Sequence, residues 1–495
     1  MQHTRRDFLR ALGWGAGVAV LPGCRAGSPG RPPNLLLLVS DDQRWDTLGC
    51  AGNPVIRTPE LDRLAAGGTR FRNAFVTTSI CPTSRASILT GQYLRRHRVG
   101  DFLAPLSDEA LAGSYVSVLR EAGYYVGFLG KWGIATTVEE SFAAAARHFD
   151  YWAPVRDHGN YWHEADCPWV LEEGTGGGPG ARCTCPPGGD APRVGMEGIR
   201  RPRHQTTEIL PAKFARFLDD RDPTRPFCLS VSFKAPHAPW GDWDPALRGL
   251  YADADVPLPP TFAHPDAADL PEFLRESPSG RSGANVAASR EAVQDHLRSY
   301  YRQITGVDMA VGRFRAALAE RGLDGDTVVL FSSDNGLLFG EHGLGSKWLM
   351  HEESIRVPLL VFDPRSERRG AVCDEMALNI DLAPTLVELA GQSPPDAMQG
   401  RSLVPLLADP TVPFRDDWFY EHHFRTARYP ILRTEGVRGR RFKYVRYLDR
   451  DPPYEQLFDL AEDPHETRDL ARQASQRQRL ASLRQRWRAC RRSLR

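Results

Sequence analysis

Leu35-Leu36-Leu37-Leu38-Val39-Ser40-Asp41-Asp42 is the stretch on which the fold turns. Its apolar residues run without period-two alternation, which fits a strand buried on both faces, as in the interior of a parallel sheet. The run stops at a serine and two carboxylates. Three more runs share that design: 124–129 stops at Gly130-Lys131-Trp132, 227–233 at Lys234-Ala235-Pro236-His237, and 327–331 at Ser332-Ser333-Asp334-Asn335. Helical periodicity precedes them at 116–121, 212–218 and 311–321. Strand and helix alternate, which predicts a doubly wound α/β sheet. Ligands bind at the carboxyl edge of such sheets. One acid after a strand says little, but Asp-Asp, Lys, His and Asp-Asn after four strands predict one shared site.

Length and composition agree with that reading. A chain of 495 residues has room for one large α/β domain and a smaller appendage. Hydrophobic residues make up 41% and charged residues 25%, a globular balance. With 63 basic against 62 acidic residues the net charge is +1, so nothing pulls the whole chain toward nucleic acid or an anionic membrane. Affinity for an anionic substrate must come from a local pocket. After about residue 413 the texture changes to short strand-like runs, at 418–424, 438–447 and 456–460. A closing arginine-rich helix follows, with Leu480, Leu483, Trp487, Cys490 and Leu494 at helical spacing. Its arginines are expected to be the wet face, with no nucleic-acid partner. The expected divisions are an export signal and linker (1–33), a catalytic α/β domain (34–412) and a small antiparallel α+β subdomain with the basic helix (413–495).

The N-terminus reads as a signal rather than as fold. Thr4-Arg5-Arg6-Asp7-Phe8-Leu9-Arg10 is a twin-arginine pattern, and the weakly apolar run 11–21 behind it is too short to span a bilayer. Leu21-Pro22-Gly23-Cys24 resembles a lipobox, which makes Cys24 a candidate lipid anchor. The expectation is export through the Tat machinery to the periplasm or cell envelope. Of nine cysteines, Cys167, Cys183 and Cys185 cluster near the glycine-rich segment 174–180, with His163 close by. Their spacing does not match a zinc pattern, and a loop disulfide or free thiols is the expectation.

The most informative stretch is Cys81-Pro82-Thr83-Ser84-Arg85-Ala86-Ser87-Ile88-Leu89-Thr90-Gly91. Pro82 predicts a helix starting just after Cys81 and Gly91 marks its end. A group at a helix N-terminus faces free N–H groups and the positive end of the dipole, which suits an anion. Arg85, one turn on, can point back to the same place.

This segment resembles the signature of the type I, formylglycine-dependent sulfatases of the alkaline-phosphatase-like superfamily. The resemblance runs from about residue 34 to 470. It is supported in order by 34–42, Gly130-Lys131-Trp132, Lys234-Ala235-Pro236-His237, Ser333-Asp334-Asn335-Gly336, Gly343-Leu344-Gly345-Ser346-Lys347, Arg356-Val357-Pro358 and Leu457-Phe458-Asp459-Leu460. It implies an alkaline-phosphatase-like sheet and a sulfuric ester hydrolase acting on a sulfated saccharide or an aryl sulfate. It implies that a maturation enzyme oxidises Cys81 to formylglycine and that Arg85 stabilises it. A hydrated aldehyde has two hydroxyls on one carbon: one attacks sulfur and displaces the alcohol, and the other collapses to expel sulfate. By the same resemblance Asp41, Asp42, Asp334 and Asn335, with the group at 81, hold one calcium ion. Lys131 and Lys347 neutralise charge on the sulfuryl oxygens, and His237 serves the leaving oxygen.

The sequence departs from the family pattern at three places. Thr83 stands where the maturation signal usually has Pro. Gly133 stands where His usually follows Lys-Trp, and His97 is a candidate replacement. Ser346 stands where Gly is usual. Two other readings share these residues: a phosphoester hydrolase of the same superfamily, and a non-catalytic homologue that binds sulfated glycans. Asp381 reads as a helix cap rather than a ligand. The segments 157–166 and Glu421-His422-His423 are expected to face substrate.

Overall fold

A computed structural model of the chain describes residues 32–136, 138–155, 159–164, 167, 169, 202–262, 270–425 and 430–494. The twin-arginine segment, Cys24, Cys183, Cys185, the glycine-rich segment and both ends of 157–166 lie outside the described residues.

Nine strands form the central sheet: β1 (Asn34–Ser40), β2 (Thr69–Phe75), β3 (Tyr125–Lys131), β4 (Tyr151–Val155), β5 (Phe227–Ser232), β6 (Thr327–Ser333), β7 (Arg356–Val357), β8 (Leu359–Phe362) and β9 (Ala371–Leu378). β1 lies between β5 and β6, and β5 leads on to β3 and β4, all parallel. The packing helices are α1 (Pro59–Gly67), α2 (Cys81–Thr90), α3 (Tyr115–Glu121), α4 (Leu210–Asp220), α5 (Arg290–Glu320) and α6 (Leu382–Leu389). The continuous leucine run is explained by two cores. Leu35, Leu37 and Val39 pack with residues of α2, α3 and α6 on one face. Leu36 and Leu38 pack with residues of α1, α4 and α5 on the other. Both faces of β1 are thus dry, and burying each leucine stabilises the fold by roughly 1.5–3 kcal/mol.

Beyond β6 the sheet is mixed. β8 runs antiparallel to both β6 and β2, and β9 runs parallel to β2. The chain between β6 and β7, residues 334–355, carries two-residue strands, loops and a one-turn helix (Glu352–Ile355) but no long helix that would mark a crossover, so chain order alone does not give the direction of β7 and β8.

The C-terminal part is a four-stranded antiparallel sheet of β10 (Asp417–His422), β11 (Thr434–Gly439), β12 (Phe442–Tyr447) and β13 (Tyr454–Asp459), with α7 (Arg477–Ser493) packed on it. The run 438–447, read from sequence as one strand, is two strands joined at Arg440-Arg441, with Arg438 opposite Lys443. The α7 arginines are also not simply the wet face. Arg484 pairs with Glu455, Arg486 with Asp417 and Arg491 with Glu435, while Trp487 Nε1 donates to Glu435 at 2.9 Å. The helix is fastened to the sheet by its basic side as well as its apolar one. Among the described residues no helix is long and apolar enough to cross a membrane. The described cysteines, at 50, 81, 167, 228, 373 and 490, are free thiols.

Candidate active site

The strands β1, β3, β5 and β6 are mutually parallel, so their carboxyl ends open on one edge. Chain order diverges to either side of β1, the switch point at which such sheets bind ligands. The residues expected to share a site meet there.

Asp41 follows β1 directly and is fully buried. It ion-pairs with Lys131, the last residue of β3, and lies 3.7 Å from Arg85 Nη2. Asp42 adopts a left-handed φ of 65°, a sharp turn that few non-glycine residues take. Its N–H donates to Asp334 Oδ1 at 3.1 Å and its carbonyl accepts from Tyr300 Oη at 2.6 Å. Asn335 Nδ2 donates to Asp42 Oδ1 at 2.5 Å, and Lys347 pairs with the same carboxylate. Arg85 Nε donates to Asp334 Oδ2 at 2.8 Å, and its Nη1 donates to the Lys131 carbonyl at 3.0 Å and to Ser232 Oγ.

Cys81 is the first residue of α2, and Gly91 closes the helix at φ 67°. The Cys81 thiol donates to Asp41 Oδ1 at 3.4 Å and accepts from Lys347 Nζ at 3.1 Å. Lys347 sits between two left-handed residues, Ser346 (φ 66°) and Trp348 (φ 85°). Strain of that kind persists only where the surroundings impose it. His237 Nδ1 lies 2.7 Å from the Ala238 carbonyl, so Nδ1 carries the proton there, and Nε2 lies 3.7 Å from Asp42 Oδ2. A cleft of about 410 Å³ opens over Asp42, Cys81, His237 and Lys347.

The electrostatics follow from burial and crowding. Burial alone would raise the Asp41 carboxyl, but Lys131, His237, Arg85 and Lys347 hold it well below the usual carboxylate range. Asp334 goes the other way, to about 6, because burial and the Asp41 charge outweigh Arg85 and Lys131. Burial and Asp41 push the Cys81 thiol to about 12, so it is not a thiolate at neutral pH. Burial, with Lys347 and Lys131 nearby, drives His237 well below the ordinary histidine value.

These residues fit a hard cation. Ligand atoms of Asp41, Asp42, Cys81 and Asp334 lie within 4.8 Å of one another. Asn335 Oδ1 is buried and accepts no hydrogen bond, an orphaned oxygen that is costly unless something positive meets it. Crowded carboxylates with an amide oxygen are the donor set that oxygen-seeking divalent ions take.

Other expectations resolve differently. Gly133 has φ 76°, and a Cβ there would approach Arg85 Cδ to 2.7 Å, so the arginine occupies the space. His97 does not replace the missing histidine: its Nε2 is 3.0 Å from Ser87 Oγ and its Nδ1 accepts from Val99 N–H at 3.0 Å. Asp381 accepts from the N–H groups of Leu378 and Arg401 and pairs with Arg415, a structural role. Glu421-His422-His423 does not line the cleft. Glu421 pairs with Arg95 at 2.7 Å and His423 with Glu435 at 3.1 Å, and the next residue, Phe424, faces the cleft instead. Cys167 Sγ lies 3.7 Å from His163 Nδ1. Sequence reasoning missed Ser232 and Tyr300, which hold Arg85 and Asp42. Ser232 lies inside the apolar run 227–233, just before Phe233, and Tyr300 lies in a long helix, so neither carried a local signal.

The chain matches the family model described as "Sulfatase" over residues 33–392, and the model described as "N-sulphoglucosamine sulphohydrolase, C-terminal" over residues 340–493. It is 30% identical to an arylsulfatase of Clostridium perfringens, with 91% of this chain and 93% of that protein covered. It is 24% identical to an N-acetylglucosamine-6-O-sulfatase of Bacteroides thetaiotaomicron, covering 88% of this chain and 82% of that one. A solved structure described as a complex with its substrate D-glucosamine-2-N,6-O-disulfate superposes with a TM-score of 0.74 at 22% identity, covering 94% of this chain and 98% of the other.

Proposed function

Because the chain belongs to the sulfatase family, whose members are sulfuric ester hydrolases, we propose that it cleaves a sulfate ester of a saccharide with formylglycine made from Cys81 beside a bound calcium ion. The observation that carries this reading is the convergence on Cys81 of Asp41, Asp42, Asp334 and the orphaned Asn335 oxygen, flanked by Lys131 and Lys347. Asp41, Asp42, Asp334 and Asn335 would hold the calcium ion, whose positive charge would attract a sulfate oxygen and lower the pKa of the attacking hydroxyl. The formylglycine hydrate supplies two hydroxyls, one to attack sulfur and one to expel sulfate afterwards.

The remaining work falls to this chain's own side chains. Lys131 and Lys347 neutralise negative charge building on the sulfuryl oxygens. Arg85, tied to Asp334, the Lys131 carbonyl and Ser232, fixes the group at 81 relative to the carboxylates. His237 is oriented through Nδ1 by the Ala238 carbonyl, which leaves Nε2, 3.7 Å from Asp42 Oδ2 in the cleft, to serve the leaving oxygen. An arriving sulfate ester is an anion, and its charge favours the protonated ring at the moment a proton is needed. Gly133 does not argue for a degenerate site, because the space beside it is filled by Arg85 rather than empty.

Residues 34–412 form the catalytic domain and 413–495 a subdomain that completes the cleft wall. The twin-arginine segment at Arg5-Arg6 directs folded export to the cell envelope, with Cys24 as a lipid anchor. The deciding experiment is turnover of a panel of sulfated saccharides by protein whose residue 81 has been checked by mass. Formylglycine-bearing, calcium-loaded protein that hydrolyses no sulfate ester refutes the proposal.

A further inference from the structure

The two lysines beside Cys81 are held in different ways. Lys131 is the last residue of β3, so the central sheet fixes its backbone. Lys347 has no such support. It lies in the irregular segment 347–351, between the two-residue strand Gly345–Ser346 and the one-turn helix Glu352–Ile355. Its neighbours Ser346 and Trp348 take left-handed φ values of 66° and 85°. The approach to Cys81 is irregular too: residues 76–80 join β2 to α2 without regular structure. Yet Lys347 Nζ meets Cys81 Sγ at 3.1 Å. Irregular backbone keeps one geometry only where its polar groups find partners outside it.

The C-terminal sheet supplies those partners. Tyr420 of β10 is fully buried, and its Oη accepts from the Ser79 N–H at 3.4 Å while donating to the Trp348 carbonyl at 2.8 Å. One oxygen thus joins the residue two before Cys81 to the residue one after Lys347. The next residue of β10 fastens the same approach: Glu421 N–H donates to the Thr77 carbonyl at 3.1 Å, and its carbonyl accepts from Thr78 Oγ1 at 2.6 Å. Lys443 of β12 fastens the other segment, donating to the Met350 carbonyl at 2.8 Å and pairing with Glu352 at 2.8 Å. Glu421 and Lys443 each hold one segment; Tyr420 alone of these three ties the two together.

Resting on the sulfatase reading of the site, we infer that Tyr420 is a positioning residue for the reaction: its hydroxyl sets Lys347 against the group at 81. Tyr420 does not line the cleft and acts only through the Trp348 carbonyl and the Ser79 N–H. The C-terminal sheet is thereby part of the catalytic unit. Lys347 meets charge on the sulfuryl oxygens whichever alcohol departs, so losing its placement costs rate on good and poor leaving groups alike.

The test is Tyr420→Phe in formylglycine-bearing, calcium-loaded protein, which removes one hydroxyl and no ring. It is expected to lower kcat on nitrophenyl sulfate and on a sugar sulfate by the same factor, about tenfold or more, with KM changed by less than about twofold. In a Lys347→Ala background the same change is expected to move kcat by less than about twofold, because the group it positions is gone. Tyr447→Phe is the control for a hydroxyl that only supports the fold: Tyr447 is equally buried in the same sheet and donates to Gln456 Oε1 at 2.9 Å. It is expected to leave kcat unchanged. An unchanged kcat in Tyr420→Phe, an equal loss with and without Lys347, or an equal loss in Tyr447→Phe overturns the inference. A crystal structure of Tyr420→Phe reads the geometry without turnover. Lys347 Nζ is expected to shift from residue 81 by about 1 Å or more, and Nζ in its parent position overturns the inference. Displacement in a protein whose parent hydrolyses no sulfate ester overturns the proposed function and leaves the positional inference standing; turnover by the parent with Lys347 unmoved in the variant does the reverse.

Discussion

Arg85 fills the space that a side chain at residue 133 would need: a Cβ on Gly133 would lie 2.7 Å from Arg85 Cδ. Restoring the family's usual histidine should therefore damage the site. Gly133→His also forces a bulky residue to φ 76°. It is expected to displace Arg85 from Asp334 and to lower kcat by about tenfold or more, since misplacing a positioned group costs rate steeply. A kcat equal to or above that of the parent would show that Arg85 can move without loss.

The cation site makes a prediction independent of turnover. Asp41→Ala or Asp334→Ala removes a buried carboxylate from the cluster. Each variant is expected to lose stoichiometric calcium by elemental analysis while keeping its circular dichroism spectrum. Activity should fall by several kcal/mol of transition-state stabilisation, on the order of 10³-fold. Full calcium occupancy in both variants would move the ion elsewhere.

His237→Ala separates acid assistance from sulfate positioning. Loss of a general acid costs roughly 10²–10⁴-fold when the departing alcohol is a poor leaving group. The variant is expected to lose that much on a sugar sulfate and far less on nitrophenyl sulfate, whose leaving group departs unaided. Equal losses on the two substrates would take His237 out of that role.

Cys81 is expected to be formylglycine in protein from the native host, seen as a mass lower by roughly 18 Da in the tryptic peptide ending at Arg85. Cys81→Ser is expected to stall after one sulfuryl transfer with calcium and fold intact, because a single hydroxyl cannot expel sulfate. Active native protein carrying only unmodified Cys81 would end the formylglycine mechanism here.

Asp308 links stability to pH away from the site. It accepts from Leu61 N–H at 2.8 Å, fastening α1 to α5, and burial pushes its carboxyl to about 7. The folded state thus keeps a proton that the unfolded chain, at about 4, has lost. This contribution to stability is present below pH 4 and is lost as pH rises toward 7. Asp308→Asn, which does not titrate, is expected to remove roughly 1–3 kcal/mol of the fall between pH 5 and 8, read from urea midpoints. An unchanged fall would mean that Asp308 titrates normally.

Much of this was legible in the sequence because the informative residues sit where local patterns end. Leu35–Leu38 declared a strand dry on both sides, and the acids, lysine and histidine after four such runs declared one edge. The antiparallel return of β8 was not legible, because strand direction depends on what joins the strands. Arg438–Tyr447 misled because charged residues at Arg440-Arg441 can cross a strand or turn between two, and only the pairing of Arg438 with Lys443 decides. His97 and Gly133 were unreadable for a related reason: whether a neighbour fills a space is a fact of packing, not of sequence.

The separation of the two halves of the cluster sets an order of events. Asp42 and Asn335 touch across 293 residues of chain, and Cys81 is 1% exposed once they do. During synthesis the cysteine emerges long before its far partners exist, on a segment that nothing yet covers. On the proposed reading the oxidising enzyme would engage the extended peptide then, before the fold closes and leaves Cys81 buried. On the proposed formylglycine reading, the burial of this one thiol would act as a deadline, and the fraction of chains bearing the aldehyde would be decided by a race between modification and closure. Slowing closure, for example by weakening the β1–β6 pairing, should raise that fraction in a host where the modifying enzyme is scarce. If occupancy at 81 does not respond to folding rate, modification reaches the finished fold by another route.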